Sequence, residues 1–292
     1  MTITESDDAA AKRARQRNDW DLAAPGWRRG QEARDPADRT VNEVTAQLLA
    51  LAGIRSGQRV LDLACGVGEP AFVIAEHVGP TGAVLGLDLS TTMVEGVQAL
   101  AGARGIPNAE FRRIESELEL GVPDGGFDAA TCRFGLMFTP DPDRALATLR
   151  RALKPGGRIA VSTWGPPEQV RFLALATEIV GRHVALPPFD PTAPGLSALP
   201  TPAALRRVFA AAGFADVEVV GVTVPFLAES PAAFWDAQEE GCGPILGMLA
   251  ASPPAARRAI REDAIRTVGA MFPGGGVRLE SEALVAGGVN PG

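Results

Sequence analysis

The chain has 292 residues, of which 46% are hydrophobic and 22% charged, a composition typical of a globular protein in solution. The net charge of -7 argues against a general affinity for nucleic-acid backbones. Three widely spaced cysteines show neither a disulfide framework nor zinc-ligand spacing, which favours a reducing compartment. Because neither a signal peptide nor a bilayer-length apolar stretch is visible, we expect a cytoplasmic protein. Abundant arginine, alanine, glycine and proline with almost no lysine suggest a bacterial source.

The N-terminal region is predicted to be either a segment that folds over a pocket or a helix that packs on the body of the protein. Residues 1–17 are polar and predict at most a loose helix. Trp20 and Trp27 then flank a predicted turn at Pro25-Gly26. We therefore expect residues 1–39 to form an N-terminal helical lid and residues 40–292 to form the main domain.

Short apolar runs alternate with helical patterns over the first half of the chain. Such an alternation predicts a parallel sheet with helices on both faces. The predicted strands cover 60–64, 84–87, 109–112, 127–132 and 158–163, and the helices between them cover 71–78, 92–102 and 142–153.

After Trp164, proline-rich stretches interrupt the alternation of predicted strands and helices. The sheet pattern returns with a helix over 203–212 and with strands over 217–224 and 277–286. The main domain is therefore expected to carry two cap insertions, at about 166–200 and 227–275. Segments of this kind commonly cover a pocket.

A glycine-rich loop after the first strand and an acid after the second indicate a nucleoside-containing cofactor. Glycines let the backbone approach a ligand, and the carboxylate of Asp88 can accept bonds from both ribose hydroxyls. The loop Gly66-x-Gly68-x-x-Ala71 also fits the dinucleotide fingerprint, with Asp88 at the expected distance. The loop alone therefore leaves an NAD(P)-dependent oxidoreductase open as an alternative.

Three ordered motifs resemble the class I S-adenosylmethionine-dependent methyltransferases. The loop Asp62-x-Ala64-x-Gly66-x-Gly68 resembles their glycine loop, with Ala64 in place of the first glycine. The blocks Pro123-Asp-Gly-Gly-Phe-Asp128 and Leu153-Lys-Pro-Gly-Gly-Arg158 also precede strands as in that family. The chain is most similar to ubiquinone/menaquinone-type and natural-product methyltransferases. The resemblance implies an α/β, Rossmann-like seven-stranded sheet with helices on both faces, an antiparallel last strand and helical cap insertions.

The resemblance also implies roles at the methionine and ribose ends of S-adenosyl-L-methionine. The backbone at Ala64, Gly66 and Gly68 is expected to contact the amino-acid end of this cofactor. Asp62 is expected to help hold the methionine amine, and Asp88 to bind the ribose diol.

Roles at the adenine end follow less directly from the resemblance. Leu89 is expected to pack on the adenine ring. The family's usual acid is absent at Ser116, so either the Ser116 hydroxyl or the carboxylate of Glu117 or Glu115 is expected at the adenine amine. Arg133 is expected to face the methionine end or the pocket, with a surface arginine at a strand end as the alternative.

Methyl transfer is expected to depend mainly on the alignment of donor and acceptor. The chain has two histidines and no tyrosine. His77 is predicted to be structural, whereas His183 is the candidate general base, with a histidine complementing a helix C-terminus as the alternative. No cluster with metal-ligand spacing is visible, so no metal is expected.

The predicted insertions and their margins contain many aromatic and aliphatic residues, among them Phe172, Phe226, Phe234 and Trp235. Such residues at helical spacing favour a core between helices, and the alternative is a pocket lining for an apolar or aromatic metabolite. We therefore expect a methyltransferase of secondary metabolism acting on a small molecule. Oxygen is the favoured acceptor atom, with carbon or nitrogen possible. A protein of the same fold that binds the cofactor for other chemistry is the main alternative. Neither nucleic acid nor a membrane is an expected partner, and a monomer or homodimer is expected.

Overall fold

The computed structural model describes residues 7–32, 42–186 and 193–292. The helices are α1 (Asp7–Glu32), α2 (Glu43–Leu51), α3 (Ala71–Val78), α4 (Thr91–Arg104), α5 (Pro142–Ala152), α6 (Arg171–Gly181), α7 (Pro202–Ala211), α8 (Pro231–Gly241), α9 (Gly243–Ala250) and α10 (Pro254–Met271). The strands are β1 (Arg59–Leu63), β2 (Ala83–Asp88), β3 (Ala109–Arg113), β4 (Phe127–Arg133), β5 (Leu153–Trp164), β6 (Ala215–Ala228) and β7 (Val277–Val289).

The seven strands form one sheet in the order β3-β2-β1-β4-β5-β7-β6. Strands β1 to β5 pair in parallel, and β7 runs antiparallel to both β5 and β6. The predicted seven-stranded α/β sheet with an antiparallel last strand is confirmed. Each strand that was predicted from the sequence is present, and the observed bounds of β5, β6 and β7 are longer than predicted.

The central strands are apolar runs because helices cover both of their faces. On one face, α2, α3 and α4 contribute Leu48, Ile74 and Val97 to a buried cluster. On the other face, α5 and α7 contribute Leu146 and Phe209 to a second cluster. Because helices pack on both faces of the sheet, the loops that follow the strands start from fixed positions.

Helices α6, α8, α9 and α10 occupy the segments where cap insertions were predicted. They pack around a third buried cluster that includes Phe234, Trp235 and Ile260. That residues 1–39 form a lid and that the insertions form caps stays a prediction. Residues 1–6, 33–41 and 187–192 lie outside the described part of the chain.

The expected turn at Pro25-Gly26 is wrong, because α1 continues through Pro25. Packing against α8 explains this departure. A side chain at Gly26 would place its Cβ 2.0 Å from the carbonyl oxygen of Glu240, so the two backbones are in close contact. Trp27 Nε1 also donates to the Gly241 carbonyl oxygen at 2.6 Å. These tertiary contacts offset the backbone hydrogen bond that proline removes from a helix.

Among the helices of the described residues, none combines the length and apolar character needed to cross a bilayer.

Candidate cofactor and acceptor site

A cavity of about 810 Å³ lies beyond the carboxyl ends of the parallel strands. Ala64 follows β1, Asp88 ends β2, Arg133 ends β4 and Trp164 ends β5, and all four residues line this cavity. The sheet order also reverses between β1 and β4. Ligands of open α/β sheets bind in the crevice at such a reversal, so this cavity is the candidate site.

In the glycine loop after β1, Ala64 and Gly66 line the cavity, whereas Gly68 does not. Ala64, Gly66 and Gly68 all have positive φ angles, of 57°, 51° and 107°. A Cβ at Gly66 would meet no atom within 4 Å, so the space in front of this residue is open. A Cβ at Gly68 would instead lie 2.2 Å from the Phe72 ring. Gly66 therefore permits close approach of a ligand, whereas Gly68 permits the loop to pack on α3.

The carboxylate of Asp88 is oriented by backbone amides at the edge of the cavity. Its Oδ2 accepts from the Gly66 N–H and its Oδ1 from the Ser90 N–H, both at 2.9 Å. Burial raises the pKa of the Asp88 carboxyl, and hydrogen bonds from the backbone amides of Ser90, Gly66 and Leu89 oppose that rise. An ionised carboxylate has about four lone-pair sites, so Asp88 retains acceptor capacity for a ligand.

Asp62 lies behind the glycine loop, buried and outside the lining of the cavity. The pairing of β1 with β4 places Asp62 opposite Thr131, whose hydroxyl donates to Asp62 Oδ1 at 2.7 Å. The other oxygen, Oδ2, is buried without a hydrogen-bond partner among the described residues. Burial raises the pKa of Asp62 to about 7, against the opposing effects of the Thr131 hydroxyl and the Arg133 charge.

Only some of the residues expected at the adenine end lie at the cavity. Leu89 and Glu117 line the cavity, but Ser116 does not. Instead, the Ser116 hydroxyl accepts from the Leu118 N–H at 3.1 Å and so stabilises its own turn. Glu117 is buried and forms a two-bond ion pair with Arg13 of α1. Of the three candidates for the adenine edge, Ser116, Glu117 and Glu115, only Glu117 lines the cavity.

Arg133 lines the cavity near a carboxylate that the sequence analysis left unassigned. Its Nη2 lies 4.0 Å from Glu69 Oε1, and its guanidinium lies 5.4 Å from the centre of the Phe134 ring. Glu69 also accepts from the side chains of Asn42 and Thr45 at the start of α2. The position of Glu69 directly after Gly68 was the available sequence signal.

An unbroken series of four aromatic rings forms one wall of the cavity. Phe134 stacks on Trp164 with ring centres 4.4 Å apart, and Trp164 meets the edge of Phe172 at 5.2 Å. Phe172 in turn stacks on Phe226 at 5.1 Å. All four residues line the cavity. We call these four residues the aromatic wall.

Phe172 and Phe226 belong to the apolar set of the predicted insertions, whereas Phe134 and Trp164 were not predicted to be site residues.

His183 is not among the residues that line this cavity. It follows α6, and its Nε2 lies 3.0 Å from Asp263 Oδ2 on α10. Asp263 also accepts from Arg182, Arg266 and Thr267, so this cluster joins α6 to α10. His183 therefore lies away from the pocket in this geometry, and its catalytic role stays an untested prediction.

The ring of His77 bonds the Ile54 carbonyl oxygen at 3.1 Å, consistent with a structural role. Within the described ranges, no group of three His, Cys, Asp or Glu residues could hold a metal ion.

A family model matches the part of the chain that forms most of this site. Residues 43–183 match the ubiE/COQ5 methyltransferase family. The ubiquinone/menaquinone biosynthesis C-methyltransferase UbiE of Francisella tularensis subsp. holarctica is 39% identical over 122 residues, 41% of this chain and 48% of that protein. UbiE of Pseudomonas entomophila is 39% identical over 120 residues, 41% of this chain and 46% of that protein. The chain thus spans about half the length of the curated relatives it matches.

Solved structures share the fold over most of the chain. The YcgJ protein of Bacillus subtilis has a TM-score of 0.56 at 20% identity, covering 84% of this chain and 97% of that one. The [4+2]-cyclase SpnF has a TM-score of 0.56 at 20% identity, covering 92% and 93%. Phosphoethanolamine N-methyltransferase 2 of Haemonchus contortus, solved with S-adenosyl-L-methionine, has a TM-score of 0.52 at 20% identity, covering 86% and 53%.

The resemblance inferred from the glycine loop and the two later blocks is thereby confirmed, and S-adenosyl-L-methionine is the cofactor of that class. The chain has the class I S-adenosylmethionine-dependent methyltransferase fold, and its residues 43–183 are related in sequence to the ubiE/COQ5 methyltransferases.

Proposed function

We propose that this protein transfers a methyl group from S-adenosyl-L-methionine to a small apolar or aromatic acceptor. The observation that carries this proposal is the composition of one cavity. The glycine loop and Asp88 border it on one side, and the aromatic wall borders it on another. A donor and a flat acceptor could therefore be bound side by side.

The residues of the glycine loop fit the proposed cofactor. The open space at Gly66 admits a ligand against the backbone, and the remaining acceptor capacity of Asp88 suits the ribose hydroxyls. The unpartnered Oδ2 of Asp62 is a buried acceptor close to this loop, as a methionine ammonium group requires. Asp62 would act from behind the loop, since it does not line the cavity itself.

S-adenosyl-L-methionine, when bound, supplies an electrophilic methyl carbon: an acceptor lone pair or activated carbon bonds to it, and the C–S electron pair returns to sulfur. The acceptor loses its proton to water or to a base. The chain's own contribution is alignment, because neither histidine lines the cavity in the described structure. Oxygen remains our first candidate for the acceptor atom. Carbon is the second candidate, because the related UbiE proteins are named as C-methyltransferases.

Two measurements test this proposal. Calorimetry with S-adenosyl-L-methionine and with NADH should show binding of the first only. An assay with a labelled methyl donor over phenols, carboxylic acids, amines and activated aromatic carbons should then show transfer, and NMR of the product distinguishes an O-methyl from a C-methyl group. Binding of NADH instead of S-adenosyl-L-methionine would contradict the proposal.

A second candidate function is cofactor binding without methyl transfer. The similarity in fold to a protein named as a [4+2]-cyclase favours keeping this candidate. Binding of S-adenosyl-L-methionine with no transfer to any acceptor would support it. The cytoplasmic location, the role in secondary metabolism, the absence of nucleic-acid partners and the monomeric or homodimeric state stay predictions.

A further inference from the structure

We propose that Gln238 is the polar anchor of the acceptor subsite and that it selects a flat, uncharged acceptor carrying a hydroxyl or N–H donor. This inference rests on the proposed function, because it assigns a subsite within the same cavity. Gln238 lies on α8, outside the residues that match the methyltransferase family model.

The carboxamide of Gln238 is buried without a partner for its oxygen. The residue is 1% exposed and lines the cavity, and its Oε1 accepts no hydrogen bond from any described residue. A buried carbonyl oxygen without a donor is unfavourable, and native structures rarely retain one without a reason. A ligand donor inside the cavity would satisfy it.

Helix α8 ties this carboxamide to the aromatic wall. Phe234 lies one helical turn before Gln238, so the two side chains share a face of α8. Phe234 meets the edge of Phe226 at a ring-centre distance of 5.4 Å, and Phe226 belongs to the aromatic wall. An acceptor whose ring lies along the wall would therefore bring a ring substituent towards Gln238.

The end of α8 is also held against α1, so the anchor is supported from a second side. Trp27 donates to the Gly241 carbonyl oxygen, and Arg29 Nη2 lies 2.7 Å from Glu240 Oε2. A side chain on a doubly supported helix is well suited to discriminate between ligands by geometry.

The arginines that line the cavity do not favour an anionic acceptor. Each described arginine of the lining lies within 4.0 Å of a carboxylate oxygen, so each already has an opposite charge beside it. These pairs are Arg17 with Glu115, Arg29 with Glu240 and Arg133 with Glu69. Gln238 adds polarity without charge, which favours a neutral donor such as a phenol.

The test compares 2-naphthol with 2-methylnaphthalene, which has nearly the same shape but no donor. Binding of each compound to the full chain saturated with S-adenosylhomocysteine is measured by fluorescence. We expect the wild-type protein to prefer 2-naphthol by about tenfold and Gln238→Met to lose that preference. Gln47→Met is the matched control, because Gln47 lies on α2 outside the cavity lining and its amide donates to Glu43. It should keep the wild-type preference.

Further readouts separate this inference from the proposed function and from a structural role. S-adenosylhomocysteine affinity, measured first, should be the same in the wild-type protein and in Gln238→Met, and its absence in the wild-type protein would contradict the proposed function itself. Gln238→Met should unfold at the wild-type temperature or above, because the substitution removes an unsatisfied oxygen; a lower temperature would indicate a structural residue. If Gln238→Met does not fold, Gln238→Leu gives the same comparison. An unchanged preference in the variant, or none in the wild-type protein, would overturn the inference.

Discussion

The guanidinium of Arg13 and the carboxylate of Glu117 form a two-bond ion pair between α1 and the loop after β3. Arg13 Nε and Nη2 each lie 2.7 Å from a Glu117 oxygen, and the two side chains are 4% and 2% exposed. Glu117 also lines the cavity. The pair therefore fixes the N-terminal helix over the side of the cavity where the adenine is expected.

Removing one member of this pair should destabilise the protein more than removing both. Arg13→Met or Glu117→Met would leave a buried charge without its partner, at a cost of about 3–5 kcal/mol. The double variant Arg13→Met/Glu117→Met should lose much less than the sum of the single losses. Urea unfolding of all four proteins gives the coupling energy.

The pair of Arg28 with Glu32 is a matched control on the same helix. These side chains lie 2.7 Å apart but are about half exposed, so solvent screens their interaction. Their coupling energy should be below about 1 kcal/mol. A coupling at Arg13 and Glu117 as small as this control would show that the buried pair does not hold α1.

Replacing Asp88 should weaken cofactor binding if its carboxylate binds the ribose. Asp88→Ala removes two charge-assisted hydrogen bonds to the ligand, so S-adenosylhomocysteine affinity should fall about a hundredfold or more by calorimetry. Asp88→Asn keeps one carbonyl acceptor and should lose less. Asp128→Ala is the control, because Asp128 lies near the start of β4, at the amino ends of the strands and away from the cavity. Unchanged affinity in Asp88→Ala would contradict the ribose assignment.

Stability of the ligand-free protein should depend on the ionisation of Asp62. Because burial raises its pKa to about 7 in the folded state, the unfolded chain loses this proton at lower pH. The free energy of unfolding should therefore fall as pH rises from about 4 to above 7, by roughly 2–4 kcal/mol from this group. Asp62→Asn cannot ionise and should lack this fall. A wild-type profile that matches the variant would show that Asp62 ionises normally.

Cofactor affinity should show the opposite pH dependence through the same carboxyl. Only the ionised form attracts an ammonium group, so S-adenosylhomocysteine binding should weaken as pH falls below about 7. In Thr131→Val, the hydrogen bond that favours the ionised form is lost, so this weakening should begin at higher pH. Calorimetry from pH 6 to 8.5 measures both profiles. If neither profile changes over this range, Asp62 does not act on the amine.

The order of strands and helices could be predicted because local pattern and tertiary position agree. The two blocks that identified the class are structural in origin, however. Asp128 of the first block and Lys154 of the second form an ion pair of 2.5 Å, and Asp128 also accepts from the Arg59 N–H at 2.8 Å. These contacts lie at the amino ends of β1 and β4, away from the cavity. They are consequences of the fold, which explains why they indicate the class without touching the cofactor.

Residues that depend on tertiary contacts could not be placed from the sequence. Gln238 and Trp164 are far apart along the chain and meet one cavity only through the packing of α8 on β6. Pro25 predicts a turn locally, yet α1 remains helical there because it packs on α8. His183 has a suitable residue type for a base, but its position is set by Asp263 on a distant helix.

The departure of Ala64 from the family's glycine can be tested through its neighbour Gly135. Ala64 adopts a φ of 57°, which strains a residue with a Cβ. A Cβ at Gly135 would lie 2.4 Å from the Ala64 Cβ and 2.9 Å from the Cys132 sulfur. Gly135→Ala should therefore destabilise the protein by about 1–3 kcal/mol. Ala64→Gly should restore part of that loss in the double variant, since it removes the closer contact but not the contact with sulfur.

A helical glycine with open space around it provides the control for this pair. A Cβ at Gly102 of α4 would meet nothing within 4 Å, so Gly102→Ala should stabilise the protein by about 0.5–1 kcal/mol. Thermal unfolding of the two single variants, the double variant and this control measures each effect. If Ala64→Gly recovers no stability in the Gly135→Ala background, the two positions are independent. The side chain of Ala64 is then not the cause of the loss in Gly135→Ala.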